Sequence, residues 1–314
     1  MKIKPIIFKI AMMLFKLGTV EVLAQLQRLR CPIRDCRYCV NLMASCGAVE
    51  YIATDDSLDT THLVDFSTAS CWNIIKVGHV AESNSHEVAV DPALHVGNVL
   101  KVNYPAGSFK PSGGIVGGIG VHACPTTIFP ARSVRLTYEV YFPADFNPVK
   151  GGKLPGLFIG PRGAAGGKHL DDASSCRLMW RKDNKTGGFM AEAYLYIAKT
   201  QHASYQSIPK LVSDGKYGDS LWRGILNFNK GSWNKVEMIL TLNTMTSGTA
   251  NHDGILHLTI NGVSASYDKF IWTTEDSLIS GINFTTFFGG SEDSWATPTD
   301  QSAYFKNVQL QKIA

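Results

Sequence analysis

The feature that most constrains the fold is a two-residue alternation of apolar and polar side chains. It runs over residues 134–142, 236–242, 256–260 and 263–267. Successive side chains of a strand point to opposite faces, so each segment predicts a half-buried β-strand. Asn261-Gly262, between the last two segments, is the favoured pair for a two-residue hairpin turn.

Two more strands are predicted over residues 284–288 and 303–310, and no segment between 130 and 310 has the pattern of a long amphipathic helix. Short strands separated by glycine-rich turns are typical of a sandwich or barrel. We therefore predict an all-β fold, with two packed antiparallel sheets.

Size and composition narrow the class of protein further. The chain has 314 residues, of which 45% are apolar, so a large core is available and global disorder is not expected. The net charge is only +4, and no dense run of lysine or arginine accompanies it, so we expect no nucleic-acid partner. No apolar stretch is long enough to span a membrane.

Residues 1–90 differ in character from residues 91–314, and we predict an N-terminal extension followed by one β-domain. For residues 1–24, a signal peptide, a membrane-surface helix and a packed helix remain open, in that order of preference. Five of the seven cysteines lie between Cys31 and Cys71. They form either a small disulfide cluster, which we favour, or a zinc site.

The segment Met190–Ile197 is unusual for a strand. Alternation would place Glu192, Tyr194 and Tyr196 on one face and apolar side chains on the other. The first face is too polar for a core and too aromatic for an ordinary solvated surface. It fits the floor of a groove that binds a polar ring, although tyrosine favours strands anyway and a tyrosine-rich sheet surface is the alternative.

Two segments that precede this strand carry cations. Lys153 lies in a glycine-rich stretch that leads into an apolar strand. Residues 174–181, as a strand, would place Ser175, Arg177 and Arg181 on one face. If the strands are neighbours, Arg177 and the tyrosines line one groove; the alternative is that these cations support surface turns.

Five segments, taken together and in this order, resemble a known family: Tyr141-Phe-Pro, Lys150-Gly-Gly-Lys-Leu-Pro-Gly-Leu157, Arg177-Leu-Met-Trp-Arg181, Glu192-Ala-Tyr-Leu-Tyr196 and Phe287-Phe-Gly-Gly-Ser-Glu-Asp-Ser-Trp295. The chain thereby resembles polysaccharide lyase family 14, which includes alginate and glucuronan lyases, and in particular its chlorella-virus members, which also carry an N-terminal extension. The resemblance covers roughly residues 95–312 and keeps the family's segment order.

The resemblance implies a β-jelly roll whose active site lies in a cleft across one sheet. The catalytic positions of the family then fall on Lys153, Ser175, Arg177, Tyr194 and Tyr196. We add Glu192 and Arg181, which share the predicted face, as substrate-binding residues.

Such an enzyme cuts a uronate polymer by β-elimination: a base removes the proton on C5, and an acid protonates the departing O4 oxygen. Arg177 suits neutralisation of the neighbouring carboxylate. We expect the clustered cations to lower the pKa of both Lys153 and the tyrosines. Lys153 is preferred as base or carboxylate partner, with Tyr194 or Tyr196 as proton donor and Ser175 as a positioning group.

Hydrolysis would need paired carboxyl groups, and Glu192 is the one candidate on this face. Histidines show no metal-ligand spacing, so we assign no metal and no cofactor. We expect a monomer that acts on acidic polysaccharide of a host cell wall, either extracellular or associated with a virion. The alternative, from another class, is a glycan-binding jelly roll without catalysis.

Overall fold

The computed structural model describes residues 72–78, 85–161, 168–213 and 215–314. Over these ranges the chain contains strands, two short 3-10 helices (Ala203–Ser207 and Asp293–Trp295) and no α-helix. None of these helices has the length and apolarity needed to cross a membrane. The predictions for residues 1–24 and for the cysteines between Cys31 and Cys71 concern residues outside the described ranges.

Two seven-stranded antiparallel sheets make up the fold. In spatial order, sheet 1 comprises β1 (Ile74–Gly78), β4 (Ile119–Ala123), β15 (Ile279–Phe288), β6 (Gly151–Ile159), β7 (Ser174–Lys182), β8 (Phe189–Tyr196) and β9 (Asp219–Asn227). Sheet 2 comprises β14 (Val263–Phe270), β13 (Gly254–Ile260), β10 (Ser232–Thr241), β5 (Ser133–Phe142), β16 (Gln301–Lys312), β3 (Asn98–Tyr104) and β2 (His86–Val90). A two-stranded ribbon is formed by β11 (Met245–Thr246) and β12 (Thr249–Ala250).

The predicted all-β class with two antiparallel sheets is confirmed. The alternating segment near residue 136 is β5, in which buried and half-buried positions alternate from Val134 to Phe142. Asn261 and Gly262 join β13 to β14 and have φ values of 53° and 83°, as a type I′ turn requires.

The core lies between the sheets and is built from the apolar face of each. Side chains of β5 such as Phe142 meet Trp180 of β7 and Phe189 of β8, at ring-centroid distances of 5.8 Å and 4.8 Å. The apolar partners of the tyrosine strand, Ala193 and Leu195, belong to the same core. The opposite face of sheet 1 is thereby left for other contacts.

Residues before 91 contribute to both sheets. β1 pairs with β4 at one edge of sheet 1, and β2 pairs with β3 at one edge of sheet 2. Trp72 is buried in the common core. The packed β-structure therefore reaches back to residue 72, whereas the role of the preceding residues stays a prediction.

Candidate active site

The outer face of sheet 1 brings together the five residues predicted to be catalytic. β6, β7 and β8 are consecutive neighbours, and Lys153 stands opposite Met179 in their register. Arg177 stands opposite Tyr194, and Ser175 opposite Tyr196. All five side chains are nearly or fully buried, although they lie outside the core between the sheets. They form a dense polar and aromatic cluster on one face, and alternation predicts this face for Ser175, Arg177 and the two tyrosines.

Lys153 is a buried cation of this cluster. Its Nζ atom donates a hydrogen bond to Met179 Sδ at 2.8 Å and lies 2.9 Å from the centroid of the Tyr194 ring. Burial, together with the charges of Arg177 and Arg181, holds the pKa of Lys153 well below its usual value, against the opposing effect of Glu192. A thioether is only a weak acceptor, so these surroundings favour the neutral amine, which is the form that can accept a proton.

The two tyrosines form an edge-to-face pair, with ring centroids 5.5 Å apart. The backbone N–H of Gly218 donates to Tyr194 Oη at 3.2 Å. Burial, and then the proximity of Tyr196, raise the pKa of Tyr194, although the Gly218 N–H and Arg181 act in the opposite direction. The expectation that the cations lower this pKa is therefore wrong for Tyr194, because loss of solvation outweighs them.

Arg177 has a buried Nε atom without a hydrogen-bond partner in the described structure. The guanidinium lies 5.7 Å from the centroid of the Tyr196 ring, and burial lowers its pKa. Leaving a buried donor unpaired is costly, and such a donor in a native protein usually has a specific reason. Gly156 of β6 stands opposite Arg177, so no side chain of β6 covers the guanidinium at that point.

Glu192 is fully buried and engaged on both oxygens. Arg181 Nε donates to Oε1 at 2.8 Å, and Arg223 Nε donates to Oε2 at 2.6 Å. Ser220 Oγ also donates to Oε1, at 3.1 Å. This carboxylate is an ion-pair partner of two arginines, which is a poor arrangement for the proton-donating acid of a hydrolase.

Sequence reasoning missed three residues at this site. Met179 shares the face of Arg177 by simple alternation and could have been found that way. Arg223 lies on β9, for which no strand was predicted. Trp295 is the last residue of a segment that was noted only because it resembles the family. The centroid of its ring lies 5.1 Å from Arg181 Cζ and 5.8 Å from Lys150 Nζ.

A cavity of about 400 Å³ opens beyond the end of β8, and none of the five predicted catalytic residues lines it. Its lining includes His169, Lys199, His202 and Asp219. In the described ranges, no three histidine, cysteine, aspartate or glutamate side chains converge as a metal site would require.

Residues 93–308 match the sequence profile of the family described as Polysaccharide lyase 14. Exolysin of Paramecium bursaria Chlorella virus 1 is 26% identical over 195 residues, which are 57% of this chain and 29% of that protein. The matched part thus spans less than a third of the curated relative.

Two solved structures share the fold at higher coverage. The alginate lyase of Aplysia kurodai is 29% identical with a TM-score of 0.64, and the match covers 73% of this chain and 88% of that one. The Chlorella virus alginate lyase vAL-1 is 27% identical with a TM-score of 0.67, and the match covers 82% and 99% respectively.

Proposed function

This chain belongs to polysaccharide lyase family 14, and we propose that it cleaves a uronate polymer by β-elimination in the cluster around Lys153. The observation that carries the proposal is the surroundings of that lysine. Its amine lies between a thioether and a tyrosine ring, next to an arginine that retains an unpaired buried donor. A base and a carboxylate-binding cation on one face of a sheet are what the elimination needs.

The role of Arg177 follows from the acidity of the substrate. The C5 proton of a uronate is hard to remove while the adjacent carboxylate is charged, because the product carbanion adds a second negative charge. A guanidinium presents a fork of donors that matches a carboxylate. Arg177, with Ser175 opposite Tyr196 on the same face, would bind this carboxylate and stabilise the enolate that develops.

The opposite pKa shifts of Lys153 and Tyr194 support different roles for the two residues in proton transfer. Lys153, whose pKa is lowered, takes the C5 proton onto Nζ, and the C5–H electrons form the C4=C5 double bond. The C4–O4 bond breaks, and O4 receives the proton of a tyrosine hydroxyl. Tyr194 keeps its proton to high pH and is therefore suited to donate it, and Tyr196 lies close enough to share this task. Exchange of protons with solvent then restores both groups.

The substrate class is inferred from the chemistry and from the relatives. Arg177, Arg181 and Arg223 on one face favour an acidic polymer. Two of the similar structures are named alginate lyases, so alginate is the first polymer to test and glucuronan the second. We place the enzyme outside cells or on a virus particle, where it would meet cell-wall polysaccharide, and we expect a monomer.

The test is incubation of the purified protein with alginate and with glucuronan, followed by ultraviolet absorbance. Each elimination creates a double bond conjugated to a carboxylate, so we expect a steady rise for the native protein. Lys153→Ala should reduce the rate about a hundredfold to ten-thousandfold, as is usual for the loss of an acid–base group. Binding to either polymer without any rise would favour the glycan-binding alternative.

A further inference from the structure

We propose that Arg181, Arg223 and Trp295 form a second substrate-binding site for another uronate residue of the same polymer chain. Glu192 is the positioning residue that holds both arginines there. The inference rests on the proposed function, since it assumes that an acidic sugar polymer occupies the outer face of sheet 1. It changes the role of Glu192 from contact with substrate to support of two residues that make that contact.

The ion-pair network leaves an excess of positive charge. Two guanidinium groups share one carboxylate, so the group carries one net positive charge. The Glu192 side chain is 0% exposed, whereas those of Arg181 and Arg223 are 13% and 31% exposed. The Glu192 carboxylate is thus buried, whereas solvent reaches part of the Arg181 and Arg223 side chains. Such a surface attracts an anionic ligand.

Within the described part of the chain, both arginines also have N–H groups that make no hydrogen bond. A guanidinium has five N–H groups. Arg181 uses Nε for Glu192, and Arg223 uses Nε for Glu192 and Nη2 for Ser220 Oγ at 3.0 Å. The remaining N–H groups belong to the terminal nitrogens, which are the atoms that bind a carboxylate in the bidentate manner.

The backbone of β9 is distorted at Arg223. The ladder between β8 and β9 loses its register between Ala191 and Ala193, which is the position of Glu192. The two neighbours of Arg223 have left-handed φ values, 61° for Trp222 and 78° for Gly224. A buried tryptophan rarely adopts this conformation, and bulges of this kind re-aim a side chain next to a functional site. Here the bulge directs Arg223 towards Glu192.

Trp295 supplies an aromatic surface beside these cations. Its ring packs against the cluster of Met179, Tyr194 and Tyr196. A Cβ atom on Gly290 would lie 2.2 Å from the Trp295 ring, so the ring rests directly on the backbone of that glycine. A flat ring next to a guanidinium is suited to a uronate, which has an apolar ring face and a charged carboxylate.

The second site is displaced from the reaction centre along β7. Arg177 and Arg181 are four residues apart on the same face, about 13 Å along a strand. Met179, which contacts Lys153, lies between them. The two guanidinium groups therefore meet carboxylates of different residues of one polymer chain.

The test measures binding of an alginate hexasaccharide by calorimetry in the Lys153→Met background, where turnover does not interfere. Arg223→Gln should weaken binding about tenfold to a hundredfold, as expected for loss of a charge-assisted contact. Its affinity should also depend less steeply on salt, because one ion pair fewer forms. A merely structural network would not change that slope. Glu192→Gln raises the net positive charge of the site, yet we expect weaker binding there too, because both arginines lose the carboxylate that positions them.

Two controls guard the result. Arg135→Gln removes the ion pair between Arg135 and Glu237 on sheet 2 and should leave affinity and salt dependence as they are. The double variant Glu192→Gln/Arg223→Gln replaces the pair with two neutral amides, which protects the fold if a single variant leaves a charge buried. Unchanged affinity in the folded double variant overturns the second site. Absence of any uronate binding by folded Lys153→Met instead overturns the proposed function itself, together with this inference.

Discussion

At the scale of single residues, Lys153 shows how surroundings select the role of a side chain. Lys153 is 7% exposed, and its amine lies next to a sulfur atom and an aromatic ring. A charged lysine in such a position destabilises the folded protein. The neutral amine is therefore favoured, and it can act as a base. Activity and the stability of the fold should therefore both depend on the protonation state of this one side chain.

Replacement of Lys153 by methionine should abolish turnover yet stabilise the protein at neutral pH. The folded-state pKa of Lys153 is lowered, so the unfolded chain binds more protons between that pKa and about 10.4, and native stability rises with pH across this interval. The Lys153→Met variant lacks this rise in stability with pH. Its extra stability relative to the native protein is therefore greatest at low pH and vanishes above about pH 10.4. Each kcal/mol gained corresponds to about 2–4 °C in Tm. A lower Tm for Lys153→Met at pH 7 in calorimetry would contradict this assignment.

The pH profile of kcat/KM should shift in opposite directions in two variants. If Lys153 acts when neutral, the acidic limb follows its pKa. Glu192 raises that pKa and Arg181 lowers it. Glu192→Gln should therefore move the limb to lower pH, and Arg181→Gln should move it to higher pH. Shifts in the same direction, or none, would mean that another group sets the limb.

Tyr196→Phe removes a single hydroxyl from a side chain that is 4% exposed. We expect a loss of about a hundredfold to ten-thousandfold in kcat if this hydroxyl shares in proton donation. Circular dichroism and Tm should stay close to those of the native protein, because the ring and its packing remain. Near-normal rates for both Tyr196→Phe and Tyr194→Phe would show that the proton reaches O4 by another route.

Sequence reasoning succeeds at this scale where a residue acts through the face it occupies. Alternation placed Arg177 with Tyr194 and Tyr196, since a strand leaves only two faces to choose from. It failed for the pKa direction of Tyr194, because the balance between burial and nearby cations is a property of three dimensions. The role of Arg223 could not be predicted either, because its partner Glu192 lies 31 residues away in the sequence.

At the scale of elements, the close approach of β6 and β7 depends on Gly156. A Cβ atom there would lie 2.0 Å from the Cys176 carbonyl oxygen and 2.6 Å from Arg177 Cα. Gly156→Ala should separate the two strands at Arg177, with a loss of about 1–3 kcal/mol in stability and a large loss of activity. Gly114→Ala is the matched control, because its added methyl group meets nothing within 4 Å. Equal melting curves for the two variants would refute this account of the groove floor.

Elements with strong local signals were predictable, and those that depend on long-range pairing were not. The β13–β14 hairpin follows from alternation and from Asn261-Gly262. β9 escaped prediction because its bulge at Trp222 breaks the alternation that would reveal it. The bulge is supported by the tertiary structure around Glu192, which a local pattern does not contain.

At the scale of the whole molecule, the boundary of the β-domain can be tested by truncation. Trp72 is buried in the core, and β1 and β2 pair with the edges of the two sheets. A fragment of residues 72–314 should melt cooperatively and retain activity, whereas a fragment of residues 91–314 should melt at lower temperature or aggregate. Aggregation of the longer fragment would instead favour an N-terminal segment that packs as an integral layer.

The central claim is that this protein cleaves its polymer by elimination, and the mass of the products tests it most directly. The protein is incubated with alginate, and with glucuronan in parallel, and the oligosaccharides are analysed by mass spectrometry. Elimination adds no water, so each internal product should be lighter by one water molecule than the corresponding saturated oligosaccharide. If all products, including the internal ones, have the full mass of saturated oligosaccharides, the reaction is hydrolysis, and the roles given to Lys153, Arg177 and the tyrosines are wrong.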